Sequence, residues 1–374
     1  MSELRAMLED AVTRLFAERV TKERIEAAER GDWQDDLWRA VEDAGLARPL
    51  LSEDAGGAGG SWLEAHVVLR ASGYHCVPLP LGETVLASWL LARAGIPVPV
   101  GPLTVLPAPI APGRLAAGCL TAEVADVPWG RHAGHAVLVV ADPGAGAAGA
   151  GAAPAGGSPA PGALEVGMIA RADGVAIRPA ENVAREPRDT LVFDAAPLLA
   201  RRPAALPADA VRLFGALVRS AQMAGALATL LDQAVRYAGE RVQFGRPIGK
   251  FQVIQHLLAE LAGAVAAAGI AAEAACRAAA AEGDPRFEIA VAKTLIGGAV
   301  DRATGIAHQV HGAIGFTYEH GLHFATRRLW SWRAEFGSDA AWAAALGHAA
   351  IARGADTLWP DLTARGRSAP RERR

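Results

Sequence analysis

The sequence predicts a mainly α protein with a small β domain in the middle of the chain. Apolar residues recur at helical spacing over residues 1–112 and again over 204–360, whereas residues 113–203 hold short apolar runs bounded by Gly, Pro and Asp. With 374 residues, the chain is long enough for two or three domains around a large buried core. The reading is an N-terminal helical domain (1–112), a middle β domain (113–203), a C-terminal helical bundle (204–360) and a basic tail (361–374).

Leu8, Val12, Leu15 and Phe16 form a first helical stripe, and Leu37, Val41 and Ala44 form another that runs to Gly45 as a C-cap. The stretch LLSEDAGGAGG (50–60) has too many glycines for helix or strand and reads as a loop, after which helical spacing resumes from Trp62 to Leu69. In the middle domain, AVLVV (136–140), GVAIRP (174–179) and TLVFD (190–194) read as strands, while LTAEVADV (120–127) is a poor strand candidate. Residues 143–162 are almost only Gly, Ala and Pro with one Ser, which offers little side chain to bury and predicts a mobile loop. From Pro207 to Leu358, Ala-rich runs of good helix propensity, broken near Gly245, Gly283 and Gly312–Gly315, fit four or five long helices.

Composition excludes several classes of function. The net charge of −3 gives no electrostatic footprint for nucleic acid, and the terminal RGRSAPRERR reads as a frayed tail. No window holds the ~18 uninterrupted apolar residues expected of a membrane span, and the N-terminus lacks an export signal, so a cytoplasmic location is expected. Cys76, Cys119 and Cys276 lie far apart without CxxC spacing, as small core residues would.

Four motifs are candidates for chemistry. Gly144, Gly146 and Gly149 satisfy G-x-G-x-x-G after a strand, but Pro154, Pro159 and Pro161 leave no room for the helix a dinucleotide fingerprint needs. His308, His311, His320 and His323 have a spacing that could suit Zn or Fe. Gly312 and Gly315 interrupt the helix between the pairs, so no metal is expected. In GERVQFGRPIGKFQVIQHLLAEL (239–261), Phe251, Ile254, Leu258 and Leu261 are an ordinary core stripe. Arg241, Gln243 and Phe244 ahead of the turn are either surface residues or ligand groups, since a guanidinium pairs with pyrophosphate and an aromatic lies against a ring. Finally, Gly312, Ala313 and Gly315 would let a backbone approach a ligand or a neighbouring helix.

Together, RVQFGRPIGKFQVIQHLLAELA (241–262) and QVHGAIGFTYEHGLHFATRRLW (309–330) resemble the two C-terminal signatures of the acyl-CoA dehydrogenase family. LWRAVEDAGLARPLLSEDAGGAGGSWLEA (37–65) and PLPLGETVLASWLLARAG (78–95) resemble parts of that family's first helical domain. The resemblance implies a helical domain, a β-barrel-like middle domain and a C-terminal four-helix bundle, usually in a homotetramer or dimer of dimers. It implies FAD, with Arg241 on the pyrophosphate, Gln243 and Phe244 flanking the cofactor, Ile248 and Phe251 close by, and Gln309, Gly312 and Ala313 reaching it from a partner chain. The reaction implied is α,β-dehydrogenation of an acyl-CoA or carrier-bound acyl thioester, in which a carboxylate takes the α proton, hydride passes to flavin N5, and an electron-transfer flavoprotein takes the electrons.

The sequence departs from that pattern at the base. The usual Glu-Gly register falls on Phe336-Gly337, and Glu335 stands one residue early; the alternative position falls near Gly215. Glu335 is the expected catalytic carboxylate if a bulge restores the register, since one helical position turns a side chain by ~100°. Two other readings follow: a base-lacking partner subunit of a heterotetrameric dehydrogenase, and a flavin oxidase or monooxygenase reusing the fold.

Overall fold

The structure is a computed structural model that describes residues 3–140, 164–171 and 174–364. The predicted loop 143–162 lies outside the described residues, as does the tail from residue 365 onward. Residues 361–364, expected in that tail, instead continue the final helix.

The N-terminal part holds α1 (Glu3–Arg19), α2 (Lys22–Glu29), α3 (Asp35–Asp43), α4 (Trp62–Tyr74) and α5 (Leu81–Arg93). The two stripes read from the sequence meet in one core, where Leu8, Val12, Phe16, Leu37 and Val41 pack together. α4 begins with a capping box: the Ser61 hydroxyl accepts from the first turn, and the Ser61 backbone N–H donates to Glu64 at 2.9 Å. This helix crosses the bundle at backbone contact. A Cβ at Gly73 would collide with the Gln222 carbonyl, and one at Gly225 with that of Arg70, so the crossing requires glycine on both helices.

The middle part comprises β1 (Leu103–Val105), β2 (Leu115–Ala116), β3 (Cys119–Pro128), β4 (His135–Val140), β5 (Leu164–Ala170), β6 (Val175–Arg178), β7 (Arg188–Pro197) and β8 (Ala200–Ala204). Two four-stranded sheets form, in the orders β1-β4-β5-β8 and β2-β3-β7-β6. Only β1 and β4 pair in parallel; the other neighbours in these two sheets are antiparallel. Leu120, Val127, Leu138, Ile169, Leu191 and Phe193 fill the core between the sheets. β1 falls ahead of residue 113, and LTAEVADV is part of β3 rather than a weak segment. β3 hid from the sequence because register shifts between Leu120/Ala122 and Val124/Val127 break its alternation.

The C-terminal part is built on α6 (Ala210–Glu240), α7 (Gln252–Ala280) and α8 (Arg286–His311), followed by α9 (Leu322–Ala334), α10 (Asp339–Arg353) and α11 (Ala355–Ala364). Both α6 and α7 are long and apolar enough to cross a membrane by length and composition. The most apolar window of α6 is wholly enclosed by the other elements, as in a core helix. α7 differs: Leu261, Ala268, Ala272, Ala275 and Cys276 are buried, while Val253 and Ile270 are 64% and 71% exposed.

Candidate functional site

The end of α6 builds the first candidate element. Arg241 caps the helix in an extended conformation, and the chain turns through a hairpin of β9 (Val242–Gln243) and β10 (Arg246–Pro247). Phe244 and Gly245 form its two-residue turn with φ of 52° and 78°, the doubly positive pattern of a type I′ turn. This geometry lifts Phe244 to the tip, where it is 91% exposed. Its ring meets Phe251 edge-on at 6.1 Å, and the Arg246 guanidinium lies 4.3 Å over Phe251. The Ile248 N–H donates to the Arg241 carbonyl at 2.8 Å and closes the hairpin on the helix end. The Arg241 and Gln243 side chains are exposed and, among the described residues, hold no hydrogen-bond or ion-pair partner.

The second element stands at the end of α8. Gly312 terminates that helix at φ 62°, ψ −142°, a conformation all but restricted to glycine, and a short 3₁₀ turn follows through Phe316. A cleft of ≈ 530 Å³ opens here, with Gln309, Gly312 and Ala313 among its lining residues beside Asp301, His308 and Phe316. Arg241, Gln243, Phe244, Ile248 and Phe251 do not line it. The Tyr237 ring, one turn before Arg241, stacks on His311 at 4.7 Å and so sets the ends of α6 and α8 side by side. An exposed cation without a partner among the described residues, a solvent-facing aromatic and a glycine-floored cleft fit the pyrophosphate and ring system of FAD.

Glu335, the carboxylate expected to act as the base, is held between two guanidiniums. Its Oε1 accepts from Arg188 Nε at 2.8 Å and its Oε2 from Arg219 Nε at 2.7 Å. Burial by itself raises the carboxyl pKa, but the two guanidiniums more than offset this and hold it down at about 2. Each oxygen of the carboxylate thus has a guanidinium donor, which favours its ionised form. The pair belongs to a larger buried network. Arg219 also bonds Glu83 of α5 and Gln222, and Arg188 bonds Glu186 at 3.0 Å, which accepts from Trp332 Nε1 at 2.9 Å. Arg328 approaches Glu186 to 3.4 Å from α9. The N-terminal helices, the β domain and the bundle thus meet in one ionic knot.

Next to it, both positions that the resemblance assigns to the base, Phe336 and Gly215, carry no acid. Phe336 has φ 54° and Gly337 φ 96°, a left-handed turn that drives the Phe336 ring onto α6 at Gly215. A Cβ at Gly215 would overlap that ring. The Trp342 indole fixes the turn by donating to the Phe336 carbonyl at 3.0 Å. Lys293 Nζ donates to the carbonyls of Trp332 and Arg333 at 3.0 and 2.7 Å and caps α9; burial pushes its pKa down to about 7. Sequence reasoning missed this arrangement. Its one visible signal was Arg219, a charge in the middle of the otherwise apolar run of α6.

The chain matches the family descriptions "Acyl-CoA dehydrogenase, N-terminal domain" over residues 2–97 and "Acyl-CoA dehydrogenase, C-terminal domain" over 213–348. It is 30% identical over 332 residues to the acyl-CoA dehydrogenase IpdE2 of Mycobacterium tuberculosis, covering 87% of this chain and 91% of that protein. The structure superposes on the ChsE4–ChsE5 complex from Mycobacterium tuberculosis with a TM-score of 0.79 at 23% identity, covering 93% of this chain and 97% of the other. On a variant of the Tcur3481–Tcur3483 steroid acyl-CoA dehydrogenase the TM-score is 0.78 at 25% identity, over 94% and 98% of the chains. The chain therefore belongs to the acyl-CoA dehydrogenase family of FAD-dependent oxidoreductases.

Proposed function

We propose that this chain serves the α,β-dehydrogenation of an acyl-CoA thioester as one of two related subunits, cradling FAD while the other chain supplies the base. The Phe336 ring seated on Gly215 carries this reading, because it occupies both positions to which the family resemblance assigns the base. The clamped state of Glu335 supports it independently. So does the separation of the two candidate FAD elements: the hairpin and the cleft at the end of α8 do not share a lining, as expected where each cofactor is completed by a second chain. Two of the solved neighbours carry the names of two proteins, ChsE4–ChsE5 and Tcur3481–Tcur3483.

Bound FAD would supply the two-electron acceptor, to be reoxidised by an electron-transfer flavoprotein. The chain's own residues then bind and orient. Arg241 would pair with the pyrophosphate, Phe244 and Gln243 would flank the cofactor, and Ile248 and Phe251 would lie close by. At the other element, Gln309 offers an amide, and the backbone at Gly312 and Ala313 permits close approach. The ionic knot around Glu335 holds the β domain and α5 against the bundle.

The test is reconstitution. The chain alone and the chain co-expressed with a related acyl-CoA dehydrogenase subunit are each exposed anaerobically to a panel of acyl-CoAs, and flavin absorbance is followed. Bleaching in the pair but not in the single chain is the expected result. A homomer that bleaches unaided overturns the two-subunit reading, and a colourless pair overturns the role in FAD binding.

A further inference from the structure

Four histidines surround the turn that shapes the cleft, and the functional reading leaves them unused. His311 Nδ1 lies 2.7 Å from the Ala307 carbonyl and must donate to it, so in the neutral ring Nε2 carries only a lone pair. That Nε2 is buried and has no hydrogen-bond partner among the described residues. His323 repeats the arrangement: its Nδ1 donates to the His320 carbonyl at 2.9 Å, and its buried Nε2 is likewise unpartnered. His320 Nδ1 accepts from the Leu322 N–H at 3.2 Å, which places its proton on Nε2. The rings interlock with their neighbours. His311 stacks on Tyr237 and lies 4.6 Å from His320, and His323 meets Tyr318 at 5.1 Å. His308 stacks on Phe316 at 4.5 Å, and its Nδ1 is also buried without a partner.

Protonating His311 or His323 would create a buried N–H with no acceptor beside other imidazoles, a costly state. The surroundings add little to offset it. Lys22 Nζ reaches the Glu319 carbonyl at 2.9 Å and brings a cation toward His320 and His323, while the Glu319 side chain faces solvent. Arg327 lies against His323, and the acid beside it, Glu29, is already bonded to Arg327 at 2.7 Å, while Glu26 is paired with Lys22 at 3.6 Å. Asp301 lines the cleft two helical turns before His308.

The geometry points to a proton-sensitive latch: His311, His320 and His323, each packed against a neighbouring ring while neutral, hold the turn over residues 312–321 closed on the end of α6, and proton uptake releases it. Because His311 immediately precedes Gly312, release deforms the floor of the cleft. Burial lowers the pKa of all four histidines below the ordinary 6.5, so the closed form binds fewer protons than the open one. Closure is complete above pH 6.5 and is lost as the pH falls through the lowered values. The latch stands on the histidine geometry alone; only its effect on FAD rests on the functional reading.

Hydrogen exchange over residues 312–321 of the full chain tests it, comparing wild type with His311→Phe at equal pH so that intrinsic exchange cancels. At about pH 7.5 the two should agree within about twofold; at about pH 5.5 the wild type should exchange about five- to tenfold faster. Equal pH responses would overturn the latch. If His311→Phe does not fold, NMR titration of the wild-type imidazoles decides: values at or above 6.5 for His311 and His323 overturn it, and lower values support it. Flavin retained on filtration by the co-expressed pair, measured at both pH values, separates the two claims. Loss at acid pH in wild type alone extends the latch to the cofactor, whereas a moving latch with no flavin at either pH sinks the FAD reading and leaves the latch standing.

Discussion

Replacing Glu335 by Gln keeps the shape of the side chain and removes the charge that Arg188 and Arg219 share. A carboxyl held at about 2 instead of 4.5 corresponds to roughly 3 kcal/mol of stabilisation of its ionised form. Both guanidiniums retain another acid, Glu83 for Arg219 and Glu186 for Arg188, which places the loss at the lower end of the ~3–5 kcal/mol typical of a broken buried pair. For a chain of 374 residues, an unfolding entropy of ~2.1 cal/mol/K per residue turns this into a fall in Tm of about 4 °C. The sign with pH follows from the lowered pKa: the contribution is present above 4.5 and lost as the pH falls through about 2. Scanning calorimetry at neutral pH should therefore separate the variant from wild type, and the gap should close with acidification. Equal Tm values at pH 7 would refute the clamp. A variant of unchanged Tm that no longer supports flavin bleaching in the reconstituted pair would return Glu335 to the role of base.

Three further outcomes are expected. Gly215→Ala forces a methyl into the Phe336 ring and should cost about 1–3 kcal/mol by urea denaturation. Adding Phe336→Ala should recover at least ~1 kcal/mol of that loss in a double-mutant cycle, and strict additivity would argue against the contact. Arg241→Ala removes a charge-assisted bond worth ~1.5–3 kcal/mol, so FAD affinity by fluorescence quenching should fall roughly ten- to a hundredfold; unchanged affinity would remove Arg241 from the site.

The helical parts were legible because their burial is periodic. Leu8, Val12 and Phe16 repeat at helical spacing and lie in one core. β3 was misjudged for the opposite reason, since its irregular pairing, with Asp126 at φ 56°, displaces the alternation a reader looks for. The hairpin at Phe244-Gly245 was visible as a turn and its flanking groups as ligand candidates, because all of them lie within a few residues of one another. Glu335 shows where local reading stops. Its two partners stand 147 and 116 residues away, and no spacing around it distinguishes an anchored carboxylate from a poised one. Gly215 and Phe336 pose the same difficulty, since an empty glycine and an aromatic ring become one object only in space.

That contact also bears on descent. With Phe336 in place, an acid at position 215 meets the ring, and Phe336→Glu alone would set a second carboxylate one residue from Glu335, whose guanidiniums are already engaged. Neither change restores a base without a second one. The filled volume acts as a ratchet: while the ring rests on the glycine, no single substitution at either position opens room there for an unclamped carboxylate.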